Sequence, residues 1–156
     1  MSASLKSQLD LLAELCPLGY ATGLHVRFTS PTYLFQTYPE AWNEHYSANG
    51  LVMQDPTVAW GFGNGGWRRW SDLVDEDVAG VLAKAADYGL IFGAALSVLS
   101  DGSRSIGGVA RRDREYTDAE LDRALAIFSQ MHALTADEAA ISAEDRATIE
   151  AYSITV

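Results

Sequence analysis

The residues best suited to chemistry in this chain lie between Tyr38 and Trp70, a stretch that contains all four tryptophans and a glycine cluster. Tyr38, Trp42 and Tyr46 recur at intervals of four, which places their rings on one face of a helix. Large rings with single polar groups, close to the Asp55 carboxylate, are typical of a cavity that holds a small amphipathic molecule. An aromatic helix face can also be plain core, and this alternative stays open here.

Asp55 also has a purely structural interpretation. It precedes Pro56, and an aspartate before a proline at the first helical position is a favourable N-cap. The two roles are compatible because a carboxylate has two oxygens that accept hydrogen bonds. The GFGNGG run at 61–66 lacks the strand before it and the lysine after it that a phosphate-binding loop requires. We therefore expect it to be a mobile loop over the cavity.

The order of these features resembles the autoinducer-binding domain of LuxR-type quorum-sensing regulators. The resemblance rests on Tyr-x3-Trp-x3-Tyr, then on Asp-Pro-Thr-Val at 55–58, Trp-Ser at 70–71, and the glycines at 89 and 93. It implies an N-acyl-homoserine lactone as the ligand. Trp42 would donate to the lactone carbonyl, Asp55 would accept from the amide N–H, and Tyr38 would donate to the amide carbonyl.

The resemblance and the sequence together define a predicted binding set. Thr57 is a further polar candidate, Tyr46 and Trp70 are expected to wall the head group by packing, and three apolar residues are guesses for the acyl chain. The complete set of predicted ligand-binding residues is Phe35, Tyr38, Trp42, Tyr46, Asp55, Thr57, Val58, Trp70, Phe92 and Gly108.

One position departs from the family. Well-known relatives carry a serine or threonine on a late strand, whose hydroxyl reaches the acyl part of the ligand. The corresponding position here is Gly108 or Ala110, and neither has a hydroxyl. Because Gly107 and Gly108 also remove side-chain volume, we predict a preference for a bulkier or longer acyl group over a short 3-oxo chain. A related ligand, or the loss of lactone binding, stays open.

The elements that must position these residues follow from hydrophobic periodicity and capping signals. Helices are predicted over 2–15, 39–48, 56–60, 73–87, 117–134 and 142–151, and strands over 20–28, 32–36, 90–99 and 104–110. Short connections between strands indicate an antiparallel sheet with helices on both faces. The resemblance implies a five-stranded, GAF/PAS-like α/β/α sandwich, so a fifth strand is expected near 50–53.

Domain organisation is predicted to be simple. We place the autoinducer-binding domain at 1–137 and interpret 138–156 as a helical tail, either a linker remnant or part of a truncated helix-turn-helix. The DNA-binding domain that follows in the family has no counterpart in these 156 residues. We therefore expect either a natural solo domain or an excised one.

Composition narrows the class of function. A net charge of −10 opposes nucleic-acid binding, and no apolar run is long enough to span a membrane, so we expect a cytoplasmic protein. Cys16 is the only cysteine, and the three histidines are far apart in sequence, which argues against a disulfide or a metal site. No nucleophile–base pattern is present, so we expect no enzyme and no cofactor beyond the ligand.

Two functions remain in contention at this point. The first is a small-molecule sensor that forms a homodimer, or a heterodimer with a full-length LuxR-type regulator. The second is a ligand-independent antiactivator that acts by heterodimerisation alone. Retention of Trp42 and Asp55 favours the first, although both side chains also serve as core and cap.

Overall fold

The computed structural model describes residues 3–28 and 30–154 and shows one five-stranded antiparallel sheet in the order β2-β1-β5-β4-β3. The strands are β1 (Tyr20–Arg27), β2 (Ser30–Gln36), β3 (Gly66–Arg69), β4 (Phe92–Ser100) and β5 (Ser103–Arg111). The helices are α1 (Leu5–Leu15), α2 (Glu40–Ala48), α3 (Pro56–Gly63), α4 (Val81–Asp87), α5 (Asp118–Leu134) and α6 (Ala143–Tyr152). The predicted α/β/α sandwich is confirmed, while the first predicted helical residue and the turn residue at 29 lie outside the described residues.

The fifth strand is not where the sequence analysis expected it. Residues 51–54 form a 3₁₀ turn, and the missing strand is Gly66–Arg69, which pairs with β4 from Gly66↔Ser97 to Arg69↔Ala94. A four-residue strand that begins with glycine carries too little period-two pattern to be recognised. The prediction of a mobile loop over 61–66 is therefore wrong at both ends of the run, because Gly61 is buried in α3 and Gly66 begins β3.

The predicted helix over 73–87 is shorter than expected. Two 3₁₀ turns, at 70–72 and 74–76, precede α4, and Gly80 before it has φ +73°. This left-handed residue interrupts the helical path, and glycine adopts it without steric cost. The Asp77 carboxylate satisfies the first turn of α4, because it accepts from the Val81 and Leu82 N–H groups at 2.8 and 2.8 Å.

One face of the sheet is covered by α1 and α5, and this face contains the larger core cluster. Thr117 and Glu120 form the predicted capping box, in which the Thr117 hydroxyl accepts from Glu120 N–H and the Glu120 carboxylate accepts from Thr117 N–H. This box begins α5, whose Leu121, Phe128 and Met131 are fully buried. No helix in the described part of the chain is both long enough and apolar enough to cross a bilayer.

The segment after residue 137 packs against the rest of the fold. The buried Asp145 carboxylate on α6 accepts from Leu5 N–H at 2.8 Å, at the first turn of α1. Beyond α6, the Ser153 hydroxyl accepts from Leu34 N–H at 3.2 Å, and Ile154 N–H donates to the Leu34 carbonyl at 2.8 Å. The tail therefore covers part of the free edge of β2, which would otherwise present unpaired backbone groups.

Candidate functional site

A cavity of about 410 Å³ lies between the sheet and helices α2, α3 and α4, on the face opposite α1 and α5. Its volume falls within the range of roughly 300–1,000 Å³ that is usual for small-molecule sites. The structure brings eight of the ten predicted residues into its lining. These eight are Tyr38, Trp42, Tyr46, Asp55, Thr57, Val58, Trp70 and Gly108.

The aromatic face of α2 forms one wall of this cavity. The spacing of four places Trp42 and Tyr46 on successive turns, and Tyr38 stands just before the helix. The Trp42 ring centroid lies 5.7 Å from that of Tyr46 and 5.5 Å from that of Tyr88. Trp42 is only 4% exposed, so this ring is held by packing on both sides. The core interpretation and the site interpretation thus apply to the same side chain.

Asp55 links the structural and the functional interpretation. Its Oδ1 accepts from Thr57 N–H at 2.9 Å and from the Thr57 hydroxyl at 2.7 Å, which makes Asp55 the N-cap of α3. Its Oδ2 accepts from the Tyr46 hydroxyl at 2.8 Å. A carboxylate oxygen accepts about two hydrogen bonds, so Oδ2 retains one accepting position on the cavity side.

Tyr46 has a more specific role than the packing wall that the sequence analysis expected. Its hydroxyl donates to Asp55, and burial together with the neighbouring carboxylate raises the pKa of the Tyr46 phenol well above its usual range. The phenol therefore stays protonated and keeps the carboxylate oriented. Thr57 likewise directs its hydroxyl to Asp55 rather than into the cavity.

Several hydrogen-bond donors in the cavity wall lack protein partners. Within residues 3–28 and 30–154, no group pairs with the Tyr38 hydroxyl or with the Trp42 indole N–H, and neither atom is sealed in the interior. Burial raises the pKa of the Tyr38 phenol, so this group also stays protonated. The Trp70 indole Nε1 differs, because it is completely buried and has no acceptor among the described residues.

Two glycines on the sheet lie directly against aromatic rings of the cavity wall, and of the two only Gly108 lines the cavity itself. A β-carbon at Gly93 would lie 2.6 Å from three atoms of the Trp70 ring, and one at Gly108 would lie 2.7 Å from the Tyr38 hydroxyl oxygen. Separations this short do not occur between real atoms, so the absent side chains let both rings rest directly on the strands. The premise that Gly108 leaves open volume for the acyl chain is wrong, because the Tyr38 hydroxyl occupies that volume.

Phe35 and Phe92 do not belong to the cavity lining. Phe35 on β2 is buried in the core cluster beneath α1 and α5. Side chains on a strand alternate between the two faces, so Leu34 and Gln36 line the cavity while Phe35 points away from it. On β4, Gly93 faces the Trp70 ring, so its neighbour Phe92 is directed to the opposite face.

Many lining residues were not predicted from the sequence. They come from β1, β2 and β5 and from the helices above them, and only Gly23 carried a signal, as a glycine inside a predicted strand. The additional lining residues are Ala21, Gly23, Val26, Pro31, Leu34, Gln36, Ser47, Gly50, Val52, Phe62, Val81, Leu82, Ala85, Ile106 and Gly107. Most are apolar, which suits the hydrocarbon part of an amphipathic ligand.

Two of the three histidines meet in the fold although they are far apart in sequence. His25 and His132 stack on the far side of the sheet with ring centroids 4.3 Å apart, whereas His45 lies on α2 beside Trp42. Nowhere in the described ranges do three His, Cys, Asp or Glu side chains come together in a way that would hold a metal ion.

Comparison with known proteins places this architecture among signal receptors. The family described as the autoinducer binding domain matches residues 18–140. The chain is 35% identical over 91 residues to the transcriptional activator protein SolR of Ralstonia nicotianae, a match that covers 58% of this chain and 39% of SolR. It is 30% identical over 105 residues to the HTH-type quorum-sensing regulator RhlR of Pseudomonas aeruginosa, covering 65% of this chain and 44% of RhlR. The matches thus span less than half the length of these relatives.

Solved structures share the fold. Escherichia coli SdiA superposes with a TM-score of 0.65 at 19% identity, over 92% of this chain and 64% of that one. A structure of SdiA in complex with octanoyl-rac-glycerol gives a TM-score of 0.64 at 18% identity, over 92% of this chain and 63% of that one. The lactone-dependent LuxR-family factor CepR2 from Burkholderia cenocepacia gives 0.54 at 16% identity, over 85% of this chain and 75% of that one.

Proposed function

This chain belongs to the autoinducer-binding domain family, and we propose that its cavity binds an N-acyl-homoserine lactone or a closely related acylated signal. The chain would act as a cytoplasmic sensor with no catalytic step of its own. One observation carries the proposal, namely that Tyr38, Trp42 and Asp55, which carry a phenol, an indole N–H and a carboxylate, line a single cavity.

The polar groups of the cavity complement those of an acyl-homoserine lactone. The ligand has two carbonyl acceptors and one amide N–H donor, and each costs about 1–3 kcal/mol when buried without a partner. Its donors without protein partners include the Tyr38 hydroxyl and the Trp42 indole N–H, and Asp55 Oδ2 has one accepting position left. These three groups are of the types that the head group of the lactone requires.

The carboxylate is oriented before any ligand arrives. Three hydrogen bonds from Tyr46 and Thr57 fix Asp55 in place, so little side-chain freedom remains to be lost on binding. A group that is already oriented contributes more net affinity than a mobile one, because its ordering cost has been met during folding. This supports a role for Asp55 beyond capping α3.

The rest of the cavity suits an acyl chain. Val26, Pro31, Val58 and Ile106 are among its apolar lining residues. SdiA, which shares this fold, forms a complex with octanoyl-rac-glycerol, and CepR2 is described as N-acylhomoserine lactone dependent. Both neighbours support an acylated molecule as the occupant here, and the preference for a bulkier or longer acyl group stays a prediction.

Thermal unfolding with a series of lactones of increasing chain length tests this function. A ligand that binds only the folded state raises the unfolding midpoint. We expect such a rise for the wild type and none for Asp55→Ala, which loses the acceptor for the ligand amide. Thr117→Ala is the matched control, because it also removes a helix cap worth about 1 kcal/mol but leaves the cavity intact.

Two outcomes would contradict the proposal. One is the absence of any midpoint shift across the series, and the other is an unchanged shift in Asp55→Ala. A folded protein that binds no lactone would leave the ligand-independent antiactivator as the better description. The partner part of the proposal, a homodimer or a heterodimer with a full-length LuxR-type regulator, is tested separately by light scattering with and without ligand.

A further inference from the structure

Two histidines outside the polar end of the cavity form a buried pair on the opposite side of the sheet. His25 on β1 is 7% exposed and His132 near the end of α5 is 2% exposed. Their rings stack at a centroid separation of 4.3 Å and an interplanar angle of 32°. Two stacked, buried imidazoles tolerate positive charge poorly, because each proton would be desolvated and would repel the other.

The hydrogen bonds of His25 assign its proton. Its Nε2 lies 3.1 Å from the His132 carbonyl oxygen, which only accepts, so Nε2 carries the hydrogen. In a neutral ring Nδ1 carries no hydrogen, so it accepts from the Ser103 hydroxyl, which lies 2.6 Å away. The Thr135 hydroxyl, 3.0 Å from Nε2, donates to the Met131 carbonyl and so is also an acceptor for His25. These contacts satisfy both ring nitrogens of a neutral His25.

The hydrogen bonds of His132 give the same result. The Ser105 hydroxyl oxygen accepts from the His25 backbone N–H at 3.0 Å, which leaves its own hydrogen for His132 Nδ1 at 2.6 Å. His132 Nε2 therefore carries the proton and donates to the Ser100 hydroxyl at 2.9 Å. Every ring nitrogen of the pair is satisfied with both rings neutral, and an added proton would require a serine hydroxyl to turn its hydrogen away from the ring.

The pair holds the backbone of β1 in an unusual conformation. His25 has φ +52°, a left-handed conformation that non-glycine residues seldom adopt. It interrupts the alternation of β1, because Leu24 and His25 both face the α5 side while Val26, the next residue, lines the cavity. Without the left-handed residue, regular alternation from Gly23 would direct residue 25 to the cavity and Val26 away from it.

We infer that the neutral His25–His132 pair positions the apolar end of the signal cavity, and that protonation of the pair in mild acid weakens signal binding. The pair acts through His25, whose left-handed backbone directs Val26 to the cavity. His25 is thus a positioning residue, and it touches no part of the ligand. The inference rests on the proposed function for its binding readout but has a ligand-free readout as well.

The charges around the pair define the direction of the pH effect. Burial lowers the pKa of both histidines. The charge of Arg27 on β1 further lowers the pKa of His25, which the hydrogen bond to the His132 carbonyl opposes. The His25 ring further lowers the pKa of His132, which Asp101 at the β4–β5 turn partly offsets. A lowered pKa in the folded state means that, as the pH falls, the unfolded chain binds protons at a higher pH than the folded chain does. Stability is therefore fully present above about pH 6.5, the unperturbed value, and is lost as pH falls through the lowered folded values.

The experiment compares the wild type with His25→Asn/His132→Gln between about pH 7.5 and pH 5.5. Asparagine accepts a left-handed conformation more readily than most residues, and neither replacement titrates. We expect the lactone Kd of the wild type to rise about tenfold on acidification, against little change in the variant. A Kd that changes equally in both proteins would overturn the inference.

A ligand-free measurement keeps the inference separate from the proposed function. In the wild type, we expect imidazole ¹⁵N spectra to show two neutral Nε2–H rings at pH 7.5, and the Val26 methyl resonances to shift as the rings titrate. If no lactone binds but these signals move together, the proposed function fails and the positioning role stands. If the rings titrate and the Val26 resonances do not shift, the positioning role is refuted. This measurement uses the wild type alone, so it remains decisive even if the double variant does not fold.

Discussion

Replacing Gly108 with alanine would test how the floor of the cavity is built. The added β-carbon would lie 2.7 Å from the Tyr38 hydroxyl oxygen, whereas unstrained heavy-atom contacts begin near about 3.5 Å. The phenol would thus have to move by roughly 0.8 Å. Tyr38 packs against the cluster that contains Trp42 and Trp70, so its ring cannot move without disturbing that cluster.

The expected loss of affinity follows from the hydrogen bond that Tyr38 would make. A displaced phenol leaves the ligand amide carbonyl buried without a donor, at about 1–3 kcal/mol, or roughly fivefold to a hundredfold in Kd. Overpacking of the floor should also lower the free energy of unfolding by up to about 1–3 kcal/mol. Gly108→Ser should behave in the same way, because its β-carbon would meet the same Tyr38 oxygen.

A double-mutant cycle measured by isothermal titration calorimetry separates this cause from others. Tyr38→Phe removes the hydroxyl oxygen that the new β-carbon meets. Gly108→Ala should therefore cost roughly fivefold to a hundredfold in Kd in the wild-type background but little in the Tyr38→Phe background. An equal cost in both backgrounds would show that the contact between Gly108 and Tyr38 does not govern affinity, and the reasoning would be refuted.

Two further predictions concern stability. Asp145→Ala should lower the free energy of unfolding by about 1–3 kcal/mol in urea titrations, because the Leu5 N–H would stay buried without an acceptor. Asp145→Asn, which retains an oxygen acceptor, is the control. An Asp145→Ala variant as stable as the wild type would show that this hydrogen bond between α6 and α1 does not contribute to stability. Gly93→Ala should destabilise the fold by about 1–3 kcal/mol through the clash with Trp70 and should shift the Trp fluorescence. Gly63→Ala, whose β-carbon meets nothing within 4 Å, should be nearly neutral, and equal effects of the two substitutions would contradict this account.

Local signals in the sequence determined much of this protein. The spacing of Tyr38, Trp42 and Tyr46 produces one helix face because the α-helix repeats about every 3.6 residues. The Asp-Pro step begins α3 and the Thr117 capping box begins α5, since both motifs satisfy backbone groups within a single turn. Each of these features depends on residues that are close in the chain, so the pattern alone was sufficient to predict them.

Contacts between distant residues were decided only by the tertiary structure. Phe35 faces the wrong side for a cavity residue because the sheet has two buried faces, and an apolar side chain fits either one. The Tyr38 hydroxyl occupies the space above Gly108, and the ring of His25 meets that of His132 across more than a hundred residues. Such pairings depend on strand order and on the path of the chain through space, and neither is encoded in any short stretch of sequence.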